Sequence, residues 1–175
     1  MFIVRPYRTG DETGVVATVR AVYDEYGFTW DEHGYCADLY DLDGHYGGDA
    51  FAFWIAETEA GIAGCGGLET FPLVPGEPPA LVPGEGLPRL AGTDCGLLRL
   101  YVHPEARRQG IGSALFETVI AEARRRGCRA LEIWSDKRLL DAHRLYERRG
   151  AVRVGERICD DPDDSPEWGM LLRLD

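Results

Sequence analysis

The spacing of apolar residues changes period along the chain, and each change marks an element. Phe2 to Arg5 is a short apolar run stopped by Pro6, which predicts a strand. From Asp11 to Tyr26 the apolar positions Val15, Val16, Val19, Val22, Tyr23 and Tyr26 recur three or four residues apart, which predicts a helix ended by Gly27. Ala50 to Glu57 predicts an inner strand. The turn TEAG follows, then Ile62 to Glu69 as a hairpin partner. Gly64, Gly66 and Gly67 in that partner imply a bulge or a close backbone approach. Leu97 to Val102 predicts a strand and Gly112 to Arg126 a helix. Its stripe is Leu115, Phe116, Val119, Ile120 and Ala123, and Gly127 is its stop. Ala130 to Trp134 predicts a strand, and Leu139 to Arg149 a helix with Ala142, Leu145 and Tyr146 inward. Val152 to Ile158 and Trp168 to Leu174 predict two last strands around the polar turn DDPDDSP. The sum is an α/β (α+β) fold, with a mixed, mostly antiparallel central sheet flanked by helices on both sides.

Two stretches resist this reading. Residues 28–50 mix Trp30, Tyr35, Leu39, Tyr40, Leu42 and Tyr46 with acids and glycines, which predicts a loop with one or two short helical pieces. That segment either lines a pocket or packs over the sheet. Residues 70–93 hold six prolines and a repeated VPGE, which predicts an irregular exposed loop within one domain spanning 1–175.

Composition narrows the partners. The 30 acidic and 19 basic residues leave a formal charge of -11, which opposes nucleic acids and anionic membranes. The basic cluster Arg107, Arg108, Arg124, Arg125, Arg126 and Arg129 suits a small anionic cofactor instead. Five cysteines lie at wide spacings without a CxxC pair, and the histidines are scattered, so no metal is expected. Free thiols, no apolar stretch behind the first Met, and no bilayer-length run together point to a cytoplasmic protein.

One turn carries candidate chemistry. Arg107, Arg108, Gln109, Gly110, Ile111 and Gly112 lie where a strand ends and a helix begins. The first helical turn has amides without an internal partner, and glycines let the backbone curl around a ligand. Such a turn binds a phosphate or pyrophosphate, with Arg107 and Arg108 adding charge. It is neither a Walker motif nor the dinucleotide fingerprint.

The wider stretch LLRLYVHPEARRQGIGSALFETVIAEARRRGC, then LEIWSD, then AHRLYERRGA, resembles the GCN5-related N-acetyltransferase (GNAT) superfamily. Arg107, Gly110 and Gly112 meet its Arg/Gln-x-x-Gly-x-Gly/Ala pattern. Ala142, Tyr146 and Gly150 meet its A-x-x-x-Y-x-x-x-G signature. The resemblance implies acetyl transfer from acetyl-CoA to an amine of a small molecule or peptide, by direct attack on the thioester. It implies that the pantetheine arm bonds to the backbone of Leu100, Tyr101 and Val102. The pyrophosphate is then expected on the turn, with Arg107, Arg108, Gln109, Gly110, Ile111, Gly112 and Ser113 as its binding residues. Tyr146 is implied as the acid that protonates the departing CoA thiolate. A homodimer is possible within the superfamily.

The base departs from the family pattern. Many members carry a glutamate near the position of Gly96, and this chain has none there. Glu69 is the preferred substitute, with Asp94 and Asp136 as alternatives. Two other functions stay open: transfer from a different acyl-CoA, or a non-catalytic CoA-binding or regulatory domain.

Overall fold

The computed structural model describes residues 1–175. The strands are β1 (Phe2–Pro6), β2 (Phe51–Thr58), β3 (Gly61–Thr70), β4 (Leu81–Val82), β5 (Arg89–Leu90), β6 (Cys95–Val102), β7 (Ala130–Asp136), β8 (Val152–Ile158) and β9 (Pro166–Arg173). The helices are α1 (Glu12–Tyr26), α2 (Leu42–Tyr46), α3 (Ile111–Arg125) and α4 (Leu140–Arg148), with 3₁₀ turns at Ala37–Tyr40 and Pro104–Ala106. Seven strands hydrogen-bond in the order β1-β2-β3-β6-β7-β9-β8, and β4 with β5 forms a separate small ladder. The pairs β1·β2, β7·β9 and β8·β9 are antiparallel, whereas β6 and β7 run parallel. The expected mixed, mostly antiparallel sheet is present, and every expected helix and strand appears within about two residues of its predicted bounds.

The chain divides into two compact units, residues 1–68 with 98–119 and residues 69–97 with 120–175. In the first unit, helices cover both faces of the sheet. A Cβ on Gly64 would lie 3.0 Å from Ile111, Leu115 and the Tyr101 carbonyl, so that glycine lets α3 approach the β3 backbone. Cys65, on the opposite face by strand alternation, joins a core with Val15, Val19 and Tyr23 of α1. Cys36, Leu39, Leu42 and Tyr46 enter the same core. The aromatic segment 28–50 therefore packs against the sheet through its short helical pieces. Gly27 ends α1 in the left-handed conformation, φ 71°, and its amide donates to the Tyr23 carbonyl.

The second unit repeats the two-faced logic. Ser135 of β7 meets His143 of α4, with 3.1 Å between Oγ and Nε2. Glu132 and Trp134 point to the other face, where Leu90 and Arg89 lie. Residues 70–93 are only partly the exposed loop that their prolines predict. Leu90, Ala91 and Thr93 are fully buried, because Glu132 accepts the Leu90 amide at 2.7 Å and Val74 accepts from Gly92 at 2.9 Å.

Candidate functional site

The residues expected to bind the donor all belong to the first unit. Strand β6 runs Leu98–Arg99–Leu100–Tyr101–Val102, and Arg99 inside it has φ 47°. A non-glycine residue at positive φ within a strand is a bulge that redirects the backbone after it. Two groups hold that conformation. The Cys65 thiol donates to the Arg99 carbonyl at 3.1 Å. The Arg99 guanidinium bonds Asp38 twice, at 2.9 and 2.7 Å, and the Tyr35 carbonyl at 2.5 Å. Burial works against the charge of Arg99, but the fields of Tyr101, Asp38 and Tyr46 overcome it and hold its pKa well above the usual value. Burial also pushes the Cys65 thiol up to about 12, which keeps it protonated as the donor to the Arg99 carbonyl. Tyr101 sits edge-on to Tyr23, ring centroids 6.2 Å apart, and burial raises both phenols.

The turn follows directly. His103 caps the 3₁₀ turn at Pro104–Ala106 by accepting the Glu105 amide, and its own amide donates to the Ala63 carbonyl at 2.9 Å. Arg108 has φ 61° and Gly110 has φ 87°, so the chain reverses twice before α3 begins at Ile111. The Ala114 amide closes the first helical turn on the Gly110 carbonyl at 3.0 Å. The amides of Ile111, Gly112 and Ser113 thus precede the first intrahelical bond. Residues 108–110 are exposed, and the first turn of α3 carries no acidic side chain. Amides without an intrahelical partner, the positive end of a helix dipole and no internal anion are the features that suit a phosphate group. Arg107 is engaged elsewhere. Its guanidinium bonds both Glu25 oxygens, at 2.9 and 2.5 Å, and lies 5.9 Å from the Tyr26 ring centroid. It braces the turn against α1.

A family model described as Acetyltransferase (GNAT) family matches residues 16–151, most of the chain and all of this site. The chain belongs to the GNAT family. An uncharacterised N-acetyltransferase of Escherichia coli, YjgM, is 27% identical over 154 residues, covering 87% of this GNAT chain and 83% of that protein. Human N-acetyltransferase 8 is 31% identical over 141 residues, and the match spans 79% of this chain and 53% of the human protein. Among solved structures, a GNAT-family acetyltransferase of Staphylococcus aureus superposes with a TM-score of 0.75 at 16% identity, covering 100% of both chains. The structure of yncA from Salmonella typhimurium, with its cofactor acetyl-CoA, superposes with a TM-score of 0.69 at 16% identity, covering 100% of this chain and 95% of that one. At such identities the likeness concerns the fold.

The acid–base candidates of this GNAT chain all lie in the second unit. Gly96 pairs with Glu132 across the parallel ladder, and a Cβ at Gly96 would sit 3.3 Å from the Phe71 ring. The Phe71 ring stands where a side chain at that position would begin. Asp94 accepts the amides of Arg129 and Ala130 at 2.9 to 3.2 Å, so it clasps the start of β7. Asp136 binds the Arg138 guanidinium at 3.0 and 2.8 Å. Glu69 differs from both. Burial raises its pKa, the field of Arg89 lowers it, and the field of Glu132 raises it again, with a net upward shift. Tyr146 is 3% exposed on α4.

Glu132 was not singled out by the sequence. It is buried at 4% exposure and holds Arg89 at 2.7 Å, the Leu90 amide at 2.7 Å and the Trp134 indole at 2.9 Å. The Arg89 guanidinium also lies over the Phe71 ring, 4.3 Å from its centroid. The available signal was a glutamate between Leu131 and Ile133 in an otherwise apolar strand. Arg99 carried the same kind of signal, a charge between Leu98 and Leu100.

Proposed function

We propose that the chain moves an acetyl group from acetyl-CoA to an amine of a small molecule or peptide. The observation that carries this reading is the turn at residues 108–110, exposed and with Arg108 and Gly110 at positive φ, ahead of a helix start free of acids. That arrangement fits the pyrophosphate of a coenzyme A. In this reading Leu100, Tyr101 and Val102 offer backbone groups beyond the bulge at Arg99 to the pantetheine arm. Gln109, Ile111, Gly112 and Ser113 complete the cradle, with Arg108 adding charge and Arg107 held in reserve by Glu25.

When bound, acetyl-CoA supplies an activated acetyl thioester. The chain's own residues handle the protons. Glu69 takes a proton from the ammonium acceptor, for which its raised pKa makes it a better base than an ordinary surface carboxylate. Asp94 and Asp136 serve less well, being committed to backbone amides and to Arg138. Tyr146 returns a proton to the departing sulfur. The charge of -11 favours a cationic acceptor by steering.

Two outcomes test this. Calorimetric titration with acetyl-CoA should give saturable binding, and Gly110→Ala should weaken it about tenfold. Forcing a Cβ residue to φ 87° strains the turn by about 1 to 2 kcal/mol. Equal binding by wild type and variant would contradict the cradle. Separately, Tyr146→Phe should lower kcat about 100-fold at saturating donor, without changing donor affinity. An unchanged kcat would remove Tyr146 from the chemistry.

A further inference from the structure

Two of the five cysteines meet in the second unit. Cys95, the first residue of β6, is fully buried, and Cys128 is half-buried in the turn between α3 and β7. Their sulfurs lie within 4.8 Å of each other. Cys95 Sγ also lies 3.5 Å from the Ala130 carbonyl. An Asp94 carboxylate oxygen and the two sulfurs all fall within 4.8 Å of one another. Cys128 lines a surface cavity of about 490 Å³, together with Leu73, Glu77, Arg129 and Arg173. Cys128 therefore borders a cavity, and the Cys95 thiol is buried beside it. The remaining thiols, Cys36, Cys65 and Cys159, are buried.

We propose that Cys95 and Cys128 form a reversible oxidation site, a dithiol that closes to an intramolecular disulfide on exposure to a hydroperoxide. The site stands apart from the acetyl-transfer reading. With hydrogen peroxide, Cys128 sulfur attacks one peroxide oxygen and the O–O bond breaks, giving a sulfenic acid on Cys128 and one water. Cys95 sulfur then attacks the sulfenic sulfur. The S–S bond forms, the S–O bond breaks, and the oxygen leaves as a second water with the Cys95 proton. Two thiols and one peroxide thus give one disulfide and two waters. The sulfurs lose two electrons, and the peroxide gains them.

The order of attack follows from the surroundings. Burial raises both thiols, and the field of Asp94 raises both further. Glu132 adds to this at Cys95, whereas Arg126 opposes it at Cys128. Both thiols are therefore mostly protonated and react slowly, and Cys128, the more accessible of the two, is the one that meets the oxidant. The sulfurs lie within 4.8 Å of each other, and closure to about 2 Å takes a change of side-chain rotamer.

The test is peptide mapping of the full chain after hydrogen peroxide treatment and alkylation of the remaining thiols. The expected result is a Cys95–Cys128 disulfide as the main oxidised species, reversed by dithiothreitol, with Cys36, Cys65 and Cys159 alkylated only after unfolding. Cys95→Ser should remove the resolving thiol and let Cys128 run on to sulfinic acid. Cys128→Ser should leave Cys95 reduced. Failure to form the bond, sulfinic acid at Cys128 in the wild type, or earlier oxidation of a buried thiol would each overturn the proposal. So would stoichiometric zinc uptake from zinc chloride that needs Asp94 and both thiols, since the cluster would then be a metal site.

Discussion

Asp38→Ala should destabilise the protein by about 3 to 5 kcal/mol, read as a drop in the denaturation midpoint. The side chains of Asp38 and Arg99 are each 12% exposed, so the pair is almost out of water. Removing the carboxylate strands a buried guanidinium whose remaining strong partner is the Tyr35 carbonyl. The Tyr46 hydroxyl, which also donates to Asp38, loses its acceptor. An unpaired buried charge costs far more than the pair contributes, because desolvation is no longer offset. The Arg107–Glu25 pair is the internal control. Its side chains are 29% and 40% exposed, and Glu25→Ala should change stability by less than about 1 kcal/mol. Equal losses in the two variants would refute the distinction. Arg99→Gly separates backbone from charge. Glycine accepts φ 47° without strain, so this variant leaves the backbone unstrained while removing the ion pair and the bond to the Tyr35 carbonyl. Its destabilisation should be comparable to that of Asp38→Ala, since the buried Asp38 carboxylate is left with the Tyr46 hydroxyl as its partner.

The second large effect concerns Glu69. Glu69→Gln should lower kcat/KM for an amine acceptor by about 100-fold or more, the scale of a lost general base. The wild-type profile should show an acid limb above the ordinary glutamate pKa of about 4.3, because burial and Glu132 outweigh Arg89. The limb should vanish in the variant. Stability should move the other way. The folded pKa lies above the unfolded one, so the stability linked to this group is full at low pH and is lost as pH rises through the folded pKa. Above that pKa the ionised side chain opposes folding, and Glu69→Gln removes the opposition. The variant should therefore unfold at an equal or higher temperature at neutral pH while losing activity. Loss of activity together with loss of stability would mark Glu69 as a structural residue.

Much of this was legible in the sequence because local rules and tertiary packing agree. The stripe of Leu115, Phe116, Val119, Ile120 and Ala123 is buried as its spacing requires. Glycines 27, 127 and 150 adopt positive φ where helices end. Gly64 and Gly66 of β3 lie under α3, and Gly67 lies against Phe53. Other features depend on partners far along the chain. Nothing local to Arg99 says that Asp38 waits 61 positions away, nor that the pair fixes a bulge. Nothing local to Leu90 says that Glu132 will bury its amide. The prolines of 70–93 say little about burial, which long-range hydrogen bonds decide. The same limit applies to the acids. Asp94, Asp136 and Glu69 look alike as letters, and only their neighbours separate two committed carboxylates from one with a raised pKa.

The most direct test of acetyl transfer follows the acetyl group itself. The protein is incubated with acetyl-CoA and a panel of cationic small amines and peptides, and free thiol and acceptor mass are measured together. The account predicts CoA release that depends on the acceptor, matched one for one by an acceptor heavier by an acetyl group, and lost in Glu69→Gln and Tyr146→Phe. Saturable acetyl-CoA binding with no acetylated product across the panel would contradict it, and would make the chain a CoA-binding protein without transferase activity.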